Sequence, residues 1–148
     1  MIILSLCFHL LLNALPPPEL LSQNKDFWIS QLRSDSVDLK INALQKLGEL
    51  RQADIPAKLS DVVRDSSGEV RFQALRTLAK IPNADSLKVL QDQLGEEKDP
   101  YLLSEVRRSI QSVEENLKLA AQKLEEKEAK KNNPAKPAAP KTKATKKQ

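Results

Sequence analysis

A short segment of this chain occurs twice, 31 residues apart, and this repetition constrains the fold more than any other feature of the sequence. Residues 39–50 (LKINALQKLGEL) align with residues 70–81 (VRFQALRTLAKI), and nearly every column keeps its physical type. A third copy follows at an offset of 32, where Leu102, Val106 and Ile110 align with apolar residues of the second copy. Self-similarity at periods of about 20 to 50 residues is typical of architectures in which similar units stack. We therefore predict such a stack.

Each unit is predicted to contain two helices, which places the chain in the all-α class. In the second unit, the first helix is expected over residues 55–64, with Asp54 as its N-cap. Ser66 followed by Glu69 is a capping-box pattern that predicts the start of the second helix, and Pro82 ends that helix. The other units follow the same plan, with a cap at Asp35, a helix from near Ala84, a break at Gly95 and a restart at Asp99-Pro100.

The repeated apolar positions recur at steps of three and four, which is the spacing of one helix face. A single helix pair cannot bury such a stripe, whereas three stacked pairs form a continuous core with polar outer faces. Leu47 and Leu78 are expected to be the deepest side chains. The predicted core contains Leu39, Ala43, Leu47, Val70, Ala74, Leu78, Val106 and Ile110.

Residues 65–78 (DSSGEVRFQALRTL) resemble the HEAT repeat, in the short bacterial form called the phycobilisome-lyase HEAT-like repeat. The shared pattern is an Asp, then Val-Arg, then Ala and Leu at helical spacing. The resemblance extends over about residues 25–115, and it implies a repeat domain at 25–116 that forms a short α-solenoid of about three helix pairs. It also implies that Asp65 and Arg71 support the turn and the ladder between repeats, with ligand contact as the alternative role of Arg71.

The last helix is predicted to extend beyond the repeats, because no helix breaker follows Pro100 until Asn132. Apolar residues recur along it at alternating steps of three and four, from Leu103 to Leu124, as in a heptad seam. We expect residues 117–131 to form a helical extension. It either overhangs and frays or acts as a partner surface, with self-association through Leu117, Ala120 and Leu124.

The basic charge of the chain belongs to its end. Residues 118–148 hold ten basic and three acidic residues, whereas residues 25–117 have a net charge of −2. Residues 132–148 are rich in Lys, Pro and Ala, cannot bury enough apolar surface to order, and are predicted to be disordered. Such a tail can make weak contacts with polyanions, but the near-neutral body argues against a nucleic-acid-binding fold.

Residues 1–15 form an apolar leader, and residues 16–24 form a proline-rich linker. The apolar run is shorter than the roughly 20 residues that span a bilayer, so we interpret it as a signal peptide. The chain would then be exported to the periplasm or the extracellular space, with no integral membrane span after removal of the leader. The alternatives are an apolar helix that caps the repeats, or an uncleaved anchor; without export the protein is cytoplasmic.

The sequence offers little material for catalysis, since it has one His (His9) and one Cys (Cys7), both in the leader. The di-iron hydroxylases with HEAT-like folds need several His-Glu pairs, which the repeats cannot supply. We therefore expect no enzyme activity, no cofactor and no metal site. The function we predict is a protein-interaction module with an unknown protein partner, and the alternative is a cytoplasmic protein associated with nucleic acid or another polyanion through its tail. The candidate binding residues are Lys40, Arg71 and Arg76.

Overall fold

The computed structural model describes residues 24–132, and within this range the chain forms helices and no strands. The predicted leader, the linker up to residue 23 and the tail from residue 133 onward lie outside the described residues. Three helix pairs follow one another, which confirms the predicted all-α short solenoid. The helices are α1 (Lys25–Gln31), α2 (Val37–Leu50), α3 (Ile55–Lys58), α4 (Gly68–Lys80), α5 (Ala84–Glu96) and α6 (Pro100–Asn132), with a 3-10 turn at Val62–Arg64 between α3 and α4.

The capping box predicted at Ser66 is wrong, because α4 begins one residue later. Ser67 is the N-cap: its backbone is extended, and its hydroxyl accepts a hydrogen bond from the Val70 N–H at 3.5 Å. The Asp65 carboxylate fixes this register, since it accepts a hydrogen bond from the Ser67 N–H at 2.9 Å. Ser66 is exposed and takes no part in the cap.

The same local structure begins the second helix of every pair. The predicted cap at Asp35 is wrong, because the Ser36 hydroxyl accepts the N–H that starts α2. Asp99 caps α6 in the same way. Two residues before each cap, a side-chain oxygen accepts a hydrogen bond from the backbone N–H of the cap residue. Ser and Asp side chains commonly stabilise such turns, and a Glu side chain makes the same bond in the third pair. These residues are Ser34, Asp65 and Glu97, at 3.1, 2.9 and 3.1 Å.

The first helix of the second pair is shorter than predicted. Instead of one helix over residues 55–64, α3 ends at Lys58, and the chain then tightens into 3-10 geometry. The N–H groups of Leu59 and Val62 bond to carbonyls three residues back, at 3.0 Å each, which is the 3-10 pattern. Asp54 occupies the N-cap position, but its side chain makes no capping bond.

The predicted break at Gly95 is also wrong, because α5 continues through this residue. The Glu97 N–H still bonds to the Gln93 carbonyl at 2.9 Å, as in a regular helical turn. The chain leaves the helix only after that bond. There the Glu97 carboxylate accepts the N–H groups of Lys98 and Asp99, and this carboxylate rather than the glycine organises the turn.

The core lies between the first and second helices of the pairs. Six of the eight predicted core residues are completely buried: Ala43, Leu47, Val70, Ala74, Leu78 and Val106. Ile110 was predicted in the core, but it is only half-buried and packs against the edge of the core. Helices α2 and α4 pack tightly at Gly48, where an added Cβ would lie 3.2 Å from the Lys80 Cδ atom.

Leu39 was predicted in the core, and this prediction is wrong, because Leu39 is 45% exposed. Its counterparts Val70 and Leu102 face the preceding helix pair. The side of α4 that contains Val70 also contains Thr77, whose hydroxyl donates to the Leu44 carbonyl of α2 at 2.9 Å. Among residues 24–132 no helix pair precedes α1 and α2, so this face of Leu39 has no neighbour there.

The chain divides into two compact units, with the boundary between Leu117 and Lys118. The first unit contains the three helix pairs. In the second unit, residues 118–129 are all exposed. Within the part of the chain that the structure describes, no helix is both long and apolar enough to cross a membrane.

Candidate protein-binding surface

Two ion pairs at equivalent repeat positions connect neighbouring helix pairs, and we call them the ladder. Lys40 on α2 bonds to Asp65 in the next turn, with Nζ 2.6 Å from Oδ2. Arg71 on α4 bonds to Glu97 in the following turn, with Nε 3.0 Å from Oε2. The offsets of 31 and 32 residues that relate the two pairs are the offsets of the sequence repeat.

Arg71 also holds its own turn together. Its Nη1 group donates to the Asp65 carbonyl at 2.9 Å and to the Ser66 carbonyl at 3.3 Å. A guanidinium presents several donors in a fixed plane, so one side chain can bind a carboxylate and two carbonyls at once. The structure therefore places Arg71 in the supporting role that the resemblance implies.

Both ladder acids remain ionised at neutral pH. Burial raises the pKa of Asp65, but hydrogen bonds from Lys40 and from a backbone N–H outweigh burial and hold the pKa below its ordinary value. Burial likewise raises the pKa of Glu97, and hydrogen bonds from Arg71, a backbone N–H and a side-chain amide reverse that effect. Each half-buried cation is therefore matched by a permanent negative charge.

Two of the three predicted binding residues are members of the ladder, and the third is not. The Lys40 and Arg71 side chains are each only 18% exposed, and both are paired. Arg76 is exposed and makes no ion pair with any residue that the structure describes. The three cations therefore do not form one surface.

A groove of about 480 Å³ opens between α4 and α6 near their N-terminal ends, with one residue of α2 in its wall, and we call it the acidic groove. Its floor and walls are largely apolar, and two carboxylates stand at its rim. The residues that define it are Ile41, Phe72, Tyr101 and Leu102, with Glu69 and Asp99 as the acids.

An aromatic cluster marks this groove. The rings of Phe72 and Tyr101 stack across α4 and α6, with centroids 5.8 Å apart and planes inclined by 28°. The Arg76 guanidinium carbon lies 5.7 Å from the centre of the Phe72 ring, a cation–π distance. Tyr101 is 67% exposed, so a large amphipathic ring is presented to solvent beside the groove.

A second groove, of about 280 Å³, lies further along the same two helices, and we call it the basic groove. It is lined by three cations, Arg76, Lys80 and Arg108, by the carboxylate of Glu105, and by Ala79, Ser109 and Ser112.

Sequence reasoning missed Phe72 and Tyr101. Phe72 aligns with Ile41 in the repeat and falls outside the core stripe, and Tyr101 follows a helix start. The sequence feature that could have identified them is the rarity of aromatic residues, which make up only 3% of the chain. Two of them near helix starts in adjacent units are worth noting, since aromatic side chains are enriched at binding surfaces.

The remaining predictions concern self-association and metal binding. Of the predicted self-association residues, Leu117 is half-buried, Ala120 is exposed and Leu124 is 61% exposed. In residues 24–132 no group of His, Cys, Asp and Glu side chains could hold a metal ion.

The stacked helix pairs, the ladder and the repeated turn define an α-solenoid repeat protein. Within that class the chain belongs to the HEAT repeat family: a family model described as HEAT repeats matches residues 26–111. No curated protein and no solved structure matches the chain. HEAT repeats generally mediate protein–protein interaction as scaffolds, and the family is generally non-enzymatic.

Proposed function

We propose that this protein is a non-enzymatic scaffold that binds a protein partner through the surface between α4 and α6. The observation that carries the proposal is Tyr101, which is 67% exposed while it stacks on Phe72 beside an apolar groove. Tyr and Arg are the residue types most enriched at energetically important contacts. Arg76 completes the cluster with a guanidinium that can still pair with a partner's acid.

The ladder cations suit this role less well. For Lys40 or Arg71 to bind a partner's carboxylate, each would have to leave a half-buried acid unpaired, and breaking such a pair is strongly destabilising. Of the three predicted binding residues, we therefore assign partner contact to Arg76, and we assign Lys40 and Arg71 to support of the surface.

The test is partner capture from the native host with matched variants of the full chain. We expect proteins retained by the wild type to be lost with Tyr101→Ala, because the ring is largely exposed and lies outside the core, so its removal takes away contact surface without disturbing the fold. The control is Lys88→Ala, an exposed residue on α5, which should retain them. Equal retention by all three proteins would rule out this surface.

We also propose that the repeats belong to the short bacterial subtype, and that residues 1–15 direct export. The pattern in residues 65–78 supports the subtype, and the apolar leader supports export. The mass of the mature amino terminus tests export directly. An intact Met1 in a cytosolic fraction would favour the alternative, a polyanion-associated protein that uses its Lys-rich tail.

Self-association is a separate proposal, supported by the exposed Leu124 in the second unit. Sedimentation of the full chain over a range of concentrations tests it, with Leu124→Lys as the variant that should remain monomeric. A monomer at all concentrations for both proteins would exclude this role.

A further inference from the structure

The acidic and basic grooves lie on one continuous stripe of α4. Glu69, Phe72, Arg76 and Lys80 succeed one another at steps of three and four, so they share one face of the helix. On α6, Tyr101, Leu102, Glu105, Arg108, Ser109 and Ser112 follow the same spacing. The eleven residue steps from Glu69 to Lys80 rise by roughly 17 Å along the helix axis. The two grooves therefore follow one another along the same two helix faces, and we call the surface that they form together the α4–α6 groove.

Charge is ordered along this groove. Near the N-terminal ends of α4 and α6, Glu69 and Asp99 are exposed carboxylates. No cation lines the acidic groove beside them. Asp99 accepts the N–H groups that begin α6, and these bonds keep its carboxylate fixed at the rim. This end of the groove is therefore negative.

The opposite end is positive. Arg108 is paired with the buried Glu105, with Nη1 2.6 Å from Oε2, so these two charges offset each other. Arg76 and Lys80 make no ion pair with a described residue, and both are exposed. Two cations therefore remain to attract an acidic group, with the Phe72 and Tyr101 rings between the two ends.

We propose that the α4–α6 groove binds a peptide segment of a partner protein that is basic at one end, apolar in the middle and acidic at the other end. The basic end lies at Glu69 and Asp99, the apolar side chain lies against Tyr101, and the acidic end lies at Arg76 and Lys80. An extended peptide rises about 3.3 Å per residue, so about five residues fill the groove. This inference rests on the proposed function, since it specifies what the same surface binds.

Selection from a random 12-residue peptide library, displayed on phage and panned against the full chain, tests the charge order. Peptides enriched on the wild type should carry Lys or Arg and Asp or Glu at opposite ends of an apolar centre. Panning against Arg76→Glu and Lys80→Glu should remove the preference for an acidic end. A selected peptide should bind each of these variants about tenfold more weakly, because charge reversal replaces an attraction with a repulsion.

Two controls separate the possible failures. Lys88→Glu makes the same charge change on α5 and should leave affinity unchanged, and circular dichroism should show that every variant is folded. Enriched peptides that need Tyr101 but have no charge order would overturn this inference and leave the proposed function standing. If no peptide prefers the wild type over Tyr101→Ala, both this inference and the proposed function are contradicted.

Discussion

The first and last helix pairs of the stack differ in the side chains that they expose at equivalent repeat positions. At the first pair, Leu39 is 45% exposed, whereas its counterparts Val70 and Leu102 are buried. At the last pair, Arg107 occupies the position where the earlier pairs have the buried leucines Leu44 and Leu75, and Arg107 is exposed. One end thus presents a leucine and the other an arginine at positions that are apolar and buried inside the stack.

This difference shows that burial in a repeat protein is decided by the neighbouring unit rather than by the residue's place in its own unit. A terminal unit needs a polar outer face to remain soluble, and Arg107 supplies one. The ladder stops at the same boundaries, since Ser34 replaces its acid in the first turn and Leu103 replaces its cation on α6.

The largest expected effect contrasts Val70→Asp with Leu39→Asp. Val70 is fully buried, so an unpaired charge there costs several kcal/mol, about as much as the whole stability of a marginal domain. Leu39→Asp should cost about 1 kcal/mol or less, because its exposed face keeps the carboxylate in water. Urea denaturation measures both, and equal losses would contradict the assigned neighbours.

The second prediction concerns the Arg71–Glu97 ion pair of the ladder. Glu97→Ala should destabilise the domain by about 2–4 kcal/mol, because it leaves the half-buried Arg71 without its carboxylate. Its neighbour provides the control: Glu96 pairs with Arg64 at the surface, and Glu96→Ala should cost less than about 1 kcal/mol. Thermal denaturation of the two variants should separate them clearly; similar melting temperatures would show that the ladder does not join the pairs.

The pH dependence of stability should be concentrated in the ladder acids. The folded-state pKa values of Asp65 and Glu97 lie below their ordinary values, so the unfolded chain binds protons first. Their contribution is fully present above about pH 5 and is lost as the pH falls through the unfolded pKa, near 4, toward the lower folded values. Urea denaturation from pH 6 to pH 3 should therefore show a smaller loss in the Asp65→Asn, Glu97→Gln variant than in the wild type. If the variant loses as much unfolding free energy as the wild type over this pH range, the pH dependence arises from the exposed carboxylates.

The smallest expected effect on stability is that of Arg107→Leu, which restores the leucine of the earlier pairs at the exposed end. Unfolding free energy should change by about 0.5 kcal/mol or less, because no described pair covers the new side chain. Concentration-dependent association should increase, since an apolar residue is added to the outer face. Sedimentation velocity checks this, and unchanged sedimentation together with higher stability would mean that the position is already covered.

The helix pairs and most of the core could be predicted because the periodic apolar residues are a local signal. The exact caps could not, since Ser66 and Ser67 are equally good capping residues and only the Asp65 hydrogen bond selects Ser67. Leu39 could not be placed either, because its position in the repeat is that of Val70, and the two differ only in that no helix pair precedes α1 and α2 among residues 24–132.

The candidate surface was predictable only in part. Lys40 and Arg71 were recognised as a repeated cation, but the sequence does not show that their acids lie one unit further along the chain. The groove exists because α4 and α6 leave a gap between them, while the rings of Phe72 and Tyr101 extend from the two helices and stack on each other. That arrangement is a property of helix packing, which no local pattern encodes.

The central claim is that the helix pairs share one core and fold together. The chain has one tryptophan, Trp28 in the first pair, and one tyrosine, Tyr101 in the third, so the two outer pairs each have their own reporter. Urea unfolding followed by Trp28 fluorescence and by ¹⁹F NMR of a fluorotyrosine at Tyr101 should give the same midpoint and slope. Separate midpoints for the two reporters would show that the pairs fold independently, and would contradict the account.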